Sequence, residues 1–460
     1  MTDTNLSYQS LRVLSDRLES GELSSERLVQ HYLKQISARD EKLHAFVEVY
    51  GEDALNAAKA ADFARRAGHH LGPLHGIPIA VKDIIDMDGR VTTGGSPMWR
   101  ERRSPSTAKL VEHLQRAGMI VIGKTHTVEF AMGGWGTNTG MGTPWNPWDL
   151  ETHRAPGGSS SGSGVSVAAD FAPCAIGTDT GGSVRLPSAW NGLSGLKTTI
   201  GNVSTEGVLP LAHTLDTPGP MCRTVEDCAL LFEVLRGNTA TRWDSEVASL
   251  KALEKNVAGL RLGVIGQSDL ALCDTEVQEA FHAAVKVLTD LGAEVEAIDL
   301  GESVDELGAR VGHIIGIEGY SWVGAFVDDP SQPIDPDIRP RIQLGRNRSA
   351  VDYLERLREQ QTFKRAVEAR TQHLDAILSP AVAFPAPAVA AIDQTQTPAT
   401  FTRFVNYLEW CALVVPCGTG TNGLPLSLQI ACRGHEESMA IQIGAAYQRS
   451  TTWHTRQPVL

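Results

Sequence analysis

The sequence predicts an α/β fold: a single domain with a central mixed, largely buried β-sheet covered by helices on both faces. Short apolar runs bounded by glycine or proline alternate with longer stretches whose apolar residues recur every three or four positions. The first pattern is typical of buried strands and the second of amphipathic helices, and their alternation favours a layered sheet. The 460 residues contain no internal repeat and no convincing linker, so we expect one continuous domain over 1–460.

The N-terminal segment 1–70 is predicted to consist of helices. The stretches "SLRVLSDRLESG" and "SSERLVQHYLKQISARDEKL" both carry helical periodicity, and the second opens with a capping pattern in which Ser24 or Ser25 precedes Glu26. The segment 71–200 is predicted to alternate strands and helices and to carry the chemistry. Its strands are "IPIAV", "MIVIGKT" and the second half of "VSVAADFAPCAIGTDT", and a helix is predicted for "AKLVEHLQRAG".

The second half of the chain continues the alternation. Strands are predicted for "AGLRLGVIG", "AILSPAV", "CALVVPCG" and "LPLSLQIAC". A helix, a glycine stop and a strand are predicted for "TEVQEAFHAAVKVLTDLGAEVEAIDL", and a long helix for "SAVDYLERLREQQTFKRAVEARTQHLD". The segment 300–345 is the least regular, so we expect a variable excursion over the sheet that forms one wall of a pocket.

Composition excludes several classes of function. Asp and Glu number 54 against 41 Lys and Arg, for a net charge of −13, and no basic stripe is present, so neither nucleic acid nor a membrane is an expected partner. The N-terminus lacks the apolar core of a signal peptide, and no run of 18 apolar residues occurs. Seven scattered cysteines without a CxxC pair favour a reducing, cytoplasmic setting and argue against a metal site.

Two loops rich in glycine and serine, 155–164 ("APGGSSSGSG") and 177–188 ("GTDTGGSVRLPS"), flank an apolar stretch. The first has the composition of a flexible tether, but its position between two apolar segments predicts instead that both loops converge over one site. The second has the glycine spacing of a phosphate-binding loop, yet Ser183 stands where the lysine is required. The pattern "GSSSG" lacks the preceding strand of a nucleophile elbow, and "SGLK" lacks the companion motifs of the Ser-x-x-Lys enzymes.

A serine hydroxyl becomes a nucleophile only beside a base, and a buried lysine can serve because burial lowers its pKa. Lys82 ends the apolar strand "IPIAVK" and is the only charge in that run. The residues alone leave two interpretations open: Lys82 is a neutral general base, or it is a strand-end lysine paired with Asp83.

The motifs "GIPIAVKDIIDM", "GKTHTVEFAMGG", "NPWD", "PGGSSSGSG" and "GTDTGGSVRLPSAWNGLSGLK" together resemble the amidase signature family, and the resemblance extends to "GLPLSLQIACRGHEE". It implies hydrolysis of amide bonds through a Ser–cis-Ser–Lys triad, without cofactor or metal. Matched by position, the base is Lys82, the relay serine is Ser159 after a cis bond from Gly158, and the nucleophile is Ser183.

The resemblance also implies an oxyanion hole made by the backbone N–H groups of Thr180, Gly181, Gly182 and Ser183. Asp179 and Arg185 flank this loop and are expected to pair.

Pocket walls are expected from 126–140, 300–345 and 395–420, with Met132, Gly133 and Trp135 lining the acyl side. For Trp135, structural packing is an equal alternative. His126 stands where the family has asparagine, and we leave it outside the triad.

The sequence is therefore compatible with three functions. The first is an amidohydrolase acting on a small-molecule amide, or on a carbamate or urea-like bond. The second is the glutaminase subunit of a tRNA-dependent amidotransferase complex. A non-catalytic binding protein on the same fold is disfavoured, because all three triad positions are filled. The sequence leaves the substrate and the oligomeric state open, a homodimer included.

Overall fold

The computed structural model describes residues 6–239 and 242–460. Residues 1–5, the start of the predicted helical segment 1–70, and residues 240 and 241 lie outside the described residues. Within the described ranges, eleven strands form one sheet: β1 Phe46–Val49, β2 Pro78–Lys82, β3 Ile120–Thr125, β4 Cys174–Asp179, β5 Ser194–Lys197, β6 Thr217–Cys222, β7 Arg261–Ile265, β8 Glu294–Ile298, β9 Ala376–Pro380, β10 Cys411–Thr419 and β11 Pro425–Cys432.

The sheet is mixed, with the strand order β1-β3-β2-β4-β6-β5-β10-β11-β9-β7-β8. Strand β2 pairs in parallel with β3 and β4, and β7 pairs in parallel with β8 and β9. The centre, from β4 through β6, β5 and β10 to β11, is antiparallel. Strands β2, β4 and β11 are buried at every residue, as expected where helices cover a sheet. The predicted α/β fold with a mixed, buried sheet is confirmed.

Helices flank this sheet. In the described part of the chain they are α1 Leu11–Glu19, α2 Ser25–Leu43, α3 Gly51–Arg66, α4 Lys109–Arg116, α5 Ser161–Ala168, α6 Arg185–Trp190, α7 Val225–Leu235, α8 Ala248–Lys251, α9 Gln267–Leu270, α10 Thr275–Asp290, α11 Val304–Asp328, α12 Arg339–Gln343, α13 Ala350–Arg370, α14 Arg403–Tyr407 and α15 Glu437–Arg449. Of the two candidate caps of α2, Ser24 is the one used, since its hydroxyl accepts from the N–H of Arg27 at 3.2 Å. None of the helices described is both long and apolar enough to cross a bilayer.

The sequence prediction for 300–345 was wrong about regularity. This segment contains α11, the longest helix at 25 residues, which begins with a capping box between Ser303 and Glu306. Residues 329–338, "DPSQPIDPDI", connect α11 to α12. The sequence does carry a signal for this helix, because a Ser303–Glu306 capping box precedes a stretch of apolar residues at helical spacing.

Strand β6 was also missed, because its sequence "TPGPMC" contains two prolines, which a central strand rarely tolerates. Strand β5 pairs with β6 only at Met221 and Cys222. Pro218 and Pro220 therefore have no partner residue on β5 and pair only with β4 on their other side. Strand β1 likewise interrupts the N-terminal segment that was predicted to be helical throughout.

Candidate active site

Lys82 is the last residue of strand β2, which lies between its two parallel neighbours β3 and β4. Its side chain is fully buried. Its Nζ lies 2.7 Å from Ser159 Oγ and 2.8 Å from Thr178 Oγ1, within hydrogen-bond distance of both hydroxyls. Burial lowers the pKa of Lys82 to about 7, although the negative charges of Asp216 and Asp179 oppose that shift. A substantial fraction of this amine is therefore uncharged at neutral pH.

Asp83, the alternative partner proposed for Lys82, faces a different cation. Its Oδ1 accepts from Lys124 Nζ at 3.3 Å, and both side chains are buried. Its Oδ2 accepts from the backbone N–H of Thr93 at 3.0 Å. Asp83 is the first residue of the turn that follows β2, and Lys82 is the last residue of the strand. The interpretation of Lys82 as a strand-end lysine paired with Asp83 is wrong.

The serine-rich stretch 155–164 is buried throughout and is not a tether. The peptide bond between Gly158 and Ser159 is cis. A Cβ at Gly162 would lie 2.2 Å from the carbonyl oxygen of Ala45 and 2.4 Å from the backbone N of His126. Glycine here allows two segments of backbone to approach directly, which places the loop and Ser159 against the end of the sheet.

Ser183 follows strand β4 and lies at the floor of a cleft, with 7% of its surface exposed. The two predicted loops do converge, because the backbone N–H of Ser160 donates to the carbonyl of Ser183 at 3.3 Å. Within the described residues, no hydrogen bond joins the hydroxyls of Ser159 and Ser183. The structure thus brings Lys82 and Ser159 into contact, and it joins Ser183 to the next residue of the serine-rich loop, Ser160.

The four N–H groups predicted to form an oxyanion hole are not equivalent. The N–H of Gly182 donates to Asp179 Oδ1 at 2.8 Å, so this donor already has a strong acceptor. Those of Thr180, Gly181 and Ser183 have no acceptor in the part of the chain that the structure describes. Of these three residues, Gly181 and Ser183 line the cleft and Thr180 does not.

Asp179 and Arg185 form the predicted pair, fully buried, with two parallel bonds of 2.9 Å each. Although burial favours the protonated acid, the Arg185 guanidinium keeps the pKa of Asp179 well below its usual range. Arg185 also donates to the side chains of Asn406 at 2.6 Å and Gln429 at 2.8 Å. Because Asp179 also accepts from the N–H groups of Gly182 and Val184, this network holds the loop on both sides of Ser183.

The cleft above Ser183 has a volume of about 290 Å³. All three predicted segments contribute to its walls, namely residues 131–134, residues of α11 and α12, and residues 395–403. Met132 and Gly133 line it as predicted. Helix α11, helix α12 and the residue after α12 contribute Ala309, Gly312, His313, Ile315, Arg341 and Leu344.

Trp135 does not line the cleft, which corrects its assignment to the substrate wall. Its ring stacks on Trp190 and Phe384, with centroids 5.9 and 6.0 Å apart. Its Nε1 donates to the carbonyl of Gln396 at 3.1 Å, and Gln396 does face the cleft. The tryptophan therefore supports the wall from behind, and the packing interpretation holds.

His126 is buried against His44, with ring centroids 4.1 Å apart. Burial and the neighbouring imidazole lower its pKa to about 3, so it is neutral at physiological pH. Sequence reasoning missed four residues of the site: Thr178, Asp216, Arg341 and Arg403. Thr178 alone had a signal, since it lies inside the "GTDTGGS" motif. Among the described residues, no three His, Cys, Asp or Glu side chains are grouped as metal ligands.

Known proteins match this chain over most of its length. The sequence profile described as Amidase matches residues 27–440. A glutamyl-tRNA(Gln) amidotransferase subunit from Chloroflexus aggregans is 36% identical over 500 aligned positions, covering 99% of both chains. The same subunit from Acinetobacter baumannii is 34% identical, again over 99% of each.

Solved structures match over nearly the whole chain. The peptide amidase of Stenotrophomonas maltophilia superimposes with a TM-score of 0.84 at 27% identity, covering 98% of each chain. A protein from a vestigial complex that reveals the evolutionary origins of an s-triazine catabolic enzyme gives 0.88 at 28% identity, covering 96% of this chain and 98% of that one. A bacterial aryl acylamidase, 24% identical, shares the fold with a TM-score of 0.87 and 98% coverage of both chains.

Proposed function

Because the chain belongs to the amidase family, and is therefore an enzyme acting on carbon–nitrogen bonds, we propose that it is a free-standing amidohydrolase that forms an acyl-enzyme on Ser183. One observation carries the proposal. The amine of Lys82, buried and partly uncharged at neutral pH, contacts the hydroxyl of Ser159 at 2.7 Å. The next residue, Ser160, bonds to Ser183, which lines the cleft. A base, a relay and a nucleophile are the groups that acyl transfer requires.

The reaction begins with a proton moving from Ser183 Oγ to Ser159 and from Ser159 to neutral Lys82. Ser183 Oγ then bonds to the substrate carbonyl carbon, and negative charge develops on the carbonyl oxygen. In this proposal the N–H groups of Gly181 and Ser183, which line the cleft, donate to that oxygen, with Thr180 as a third donor. Each such donor is typically worth about 3–4 kcal/mol in the transition state.

Collapse of the tetrahedral intermediate breaks the carbon–nitrogen bond. The proton held by Lys82 returns through Ser159 to the departing nitrogen, which leaves as an amine or ammonia. Water then attacks the acyl-enzyme, losing a proton along the same route, and the acid product departs. A carbamate or urea-like bond would be attacked in the same way, since only the groups on the carbonyl carbon differ.

A second candidate is the glutaminase subunit of an amidotransferase complex. It is favoured by relatives named as subunits of glutamyl-tRNA(Gln) amidotransferase, which are 34–37% identical over almost their full length. Against it stands the lining of the cleft, in which the described residues include no Asp or Glu to receive the ammonium group of glutamine.

The test is hydrolysis by the purified chain alone of primary amides, anilides, carbamates and glutamine, measured as ammonia or amine release. Ser183→Ala should abolish hydrolysis and the acyl adduct seen by intact-mass analysis. Ser188→Ala is the matched control, because that serine lies in the same loop motif and donates only to the carbonyl of Val184. Hydrolysis of glutamine alone, and only with partner subunits present, would establish the second candidate. Undiminished hydrolysis by the Ser183 variant would overturn the mechanism.

The cysteines bear on where the chain works. All seven are free thiols and all are buried. Free thiols persist in reducing compartments, which supports the cytoplasmic location predicted from the sequence. Light scattering on the purified chain will distinguish a monomer from the homodimer that the sequence leaves open.

A further inference from the structure

The cleft beside Ser183 is basic, although the chain as a whole carries a net charge of −13. Arg341 of α12 and Arg403, the first residue of α14, both line it, and His313 of α11 lies at its edge. The described residues that line the cleft include no carboxylate. The charged side chains that line the cleft are therefore the two arginines.

Arg403 is a cation without a counter-charge. Its NH1 donates to the carbonyl of Gly308 at 3.0 Å, and its Nε is buried without any hydrogen-bond partner in the described structure. Burial and the nearby positive charge of Arg341 lower the pKa of Arg403 to about 10, which still leaves it charged at neutral pH. No ion pair of Arg403 occurs among residues 6–239 and 242–460.

Arg341 also bonds to neutral oxygens, although the negative charges of Asp337 and Asp335 favour its charged form. Its guanidinium donates to the carbonyl of Met132 at 3.4 Å and to the side-chain oxygen of Gln394 at 2.9 Å, both neutral acceptors. It too makes no ion pair with any described residue. Burial first, and then the positive charge of Arg341, lower the pKa of Arg403.

Arg341 and Arg403 are half-buried, whereas the described arginines that are buried, Arg185 and Arg223, both lie beside a carboxylate. Arg185 makes a bidentate pair with Asp179, and Arg223 lies 3.8 Å from Asp170. Burying a charge is costly unless an opposite charge accompanies it. Arg341 and Arg403 are bonded only to neutral oxygens and both line the cleft, so their positive charge is accessible to the negative charge of a ligand.

We propose that the substrate is an amide that also carries a carboxylate, such as the half-amide of a dicarboxylic acid, with Arg403 as the principal partner of that carboxylate and Arg341 as the second. The inference rests on the proposed amidohydrolase function and names its substrate class. The planar guanidinium suits a carboxylate because it can donate two parallel hydrogen bonds. A zwitterion such as glutamine fits less well, since its ammonium group would face two arginines.

Three substrates of one length test the proposal: glutaramate, which carries one carboxylate; pentanamide, which is neutral; and glutamine, which adds an ammonium group to glutaramate. We expect kcat/KM for glutaramate to exceed that for each of the others by about 100-fold, the effect of one or two charge-assisted hydrogen bonds. Comparable values for glutaramate and pentanamide, or a preference for glutamine, would overturn the proposal.

Variants assign the effect to the arginines. Arg403→Met should reduce the ratio of glutaramate to pentanamide to less than tenfold, mainly by raising KM for glutaramate, and Arg403→Lys should restore part of it. Arg346→Met is the control, because Arg346 is exposed, pairs with Asp328 and lies outside the cleft lining. A ratio unchanged in Arg403→Met would refute the assignment.

A binding measurement separates this inference from the proposed function. Glutarate should inhibit hydrolysis of pentanamide by the wild-type chain and raise its melting temperature, whereas 1,5-pentanediol should do neither. One outcome is that the wild type hydrolyses no amide, while glutarate raises the melting temperature of the wild type but not of Arg403→Met. That result would support the carboxylate site and refute the amidohydrolase proposal. If amides are hydrolysed and glutarate neither inhibits nor stabilises, the anion site falls alone.

Discussion

Replacing Asp216 by asparagine should extend the activity of this enzyme toward acid pH. The proposed base is the neutral amine of Lys82, whose pKa burial lowers to about 7. Wild-type kcat/KM should then be half-maximal near pH 7 and fall to about a hundredth of its plateau at pH 5, a factor of ten for each unit.

Asp216 is the largest influence opposing that shift, because its negative charge favours the ammonium form of Lys82. Burial raises the pKa of Asp216 itself to about 6, so much of its charge is present while Lys82 titrates. Removing one nearby opposite charge typically moves a pKa by about a unit or more. In Asp216→Asn the pH at which kcat/KM is half-maximal should therefore fall by about one unit, so that the variant has about half of its maximal kcat/KM at pH 6.

The assay is kcat/KM for a substrate that does not ionise between pH 5 and 9, with ammonia release followed in constant ionic strength buffers. The asparagine keeps an oxygen for the N–H groups of Leu211 and Ala212, which limits structural damage. Asp269→Asn is the control, since this carboxylate caps α11 through the N–H of Val304 and does not influence Lys82. A wild-type profile flat down to pH 5, or a limb that moves upward in Asp216→Asn, would show that Lys82 is not the titrating base.

Three further outcomes are expected. Lys82→Met should fold, as judged by its melting curve, yet lower kcat/KM by at least about 10³-fold because no base remains, and near-normal turnover would remove the lysine from the relay. Arg185→Met should lower the free energy of unfolding in urea by about 3–5 kcal/mol, since it leaves a buried carboxylate unpaired, while Arg154→Met, from a less buried pair of similar length, should cost about 1 kcal/mol or less. The loss of unfolding free energy in Arg185→Met should be smaller at acid pH. Without Arg185, burial raises the pKa of Asp179 above its value in the unfolded chain, so protonation of Asp179 stabilises the folded variant. Equal losses in Arg185→Met and Arg154→Met would contradict the assigned importance of the buried pair. Gly162→Ala should lower the melting temperature markedly, because the added Cβ would overlap the backbone of Ala45 and His126. Gly51→Ala is the control and should leave the melting temperature unchanged, since its Cβ would have no neighbour nearer than 3.9 Å. Similar melting temperatures for the two variants would show that the backbone at Gly162 shifts easily.

The elements that could be predicted from sequence are those whose signal is local. The strand ending at Lys82 and the long helix α13 are marked by periodicity and by their flanking residues. The convergence of the loops at Ser159 and Ser183 followed from two similar motifs flanking one apolar segment. Their chemical roles remain proposals, since motif order alone does not establish proton transfer.

The remaining features depend on contacts between distant parts of the chain. Arg341 and Arg403 reach the cleft from helices more than 150 positions beyond Ser183, and nothing in their own sequence context distinguishes them from surface arginines. Asp216 acts on Lys82 only because β6 lies beside β4, a neighbour relation that two prolines concealed. Trp135 was misassigned because its loop faces the cleft while its ring turns to the other side.

The walls of the cleft and the bond-breaking groups come from different stretches of the chain. Residues 82–183 supply the amine, the two hydroxyls and the backbone donors, whereas α11, α12 and residues 395–403 supply most of the surface that meets the rest of the substrate. Substitutions in the later stretch can thus accumulate without disturbing the earlier one. Such a separation lets an evolving lineage change which compounds it degrades while it inherits the reaction unaltered, and a chimera that transplants only the later stretch should acquire the donor's preferences.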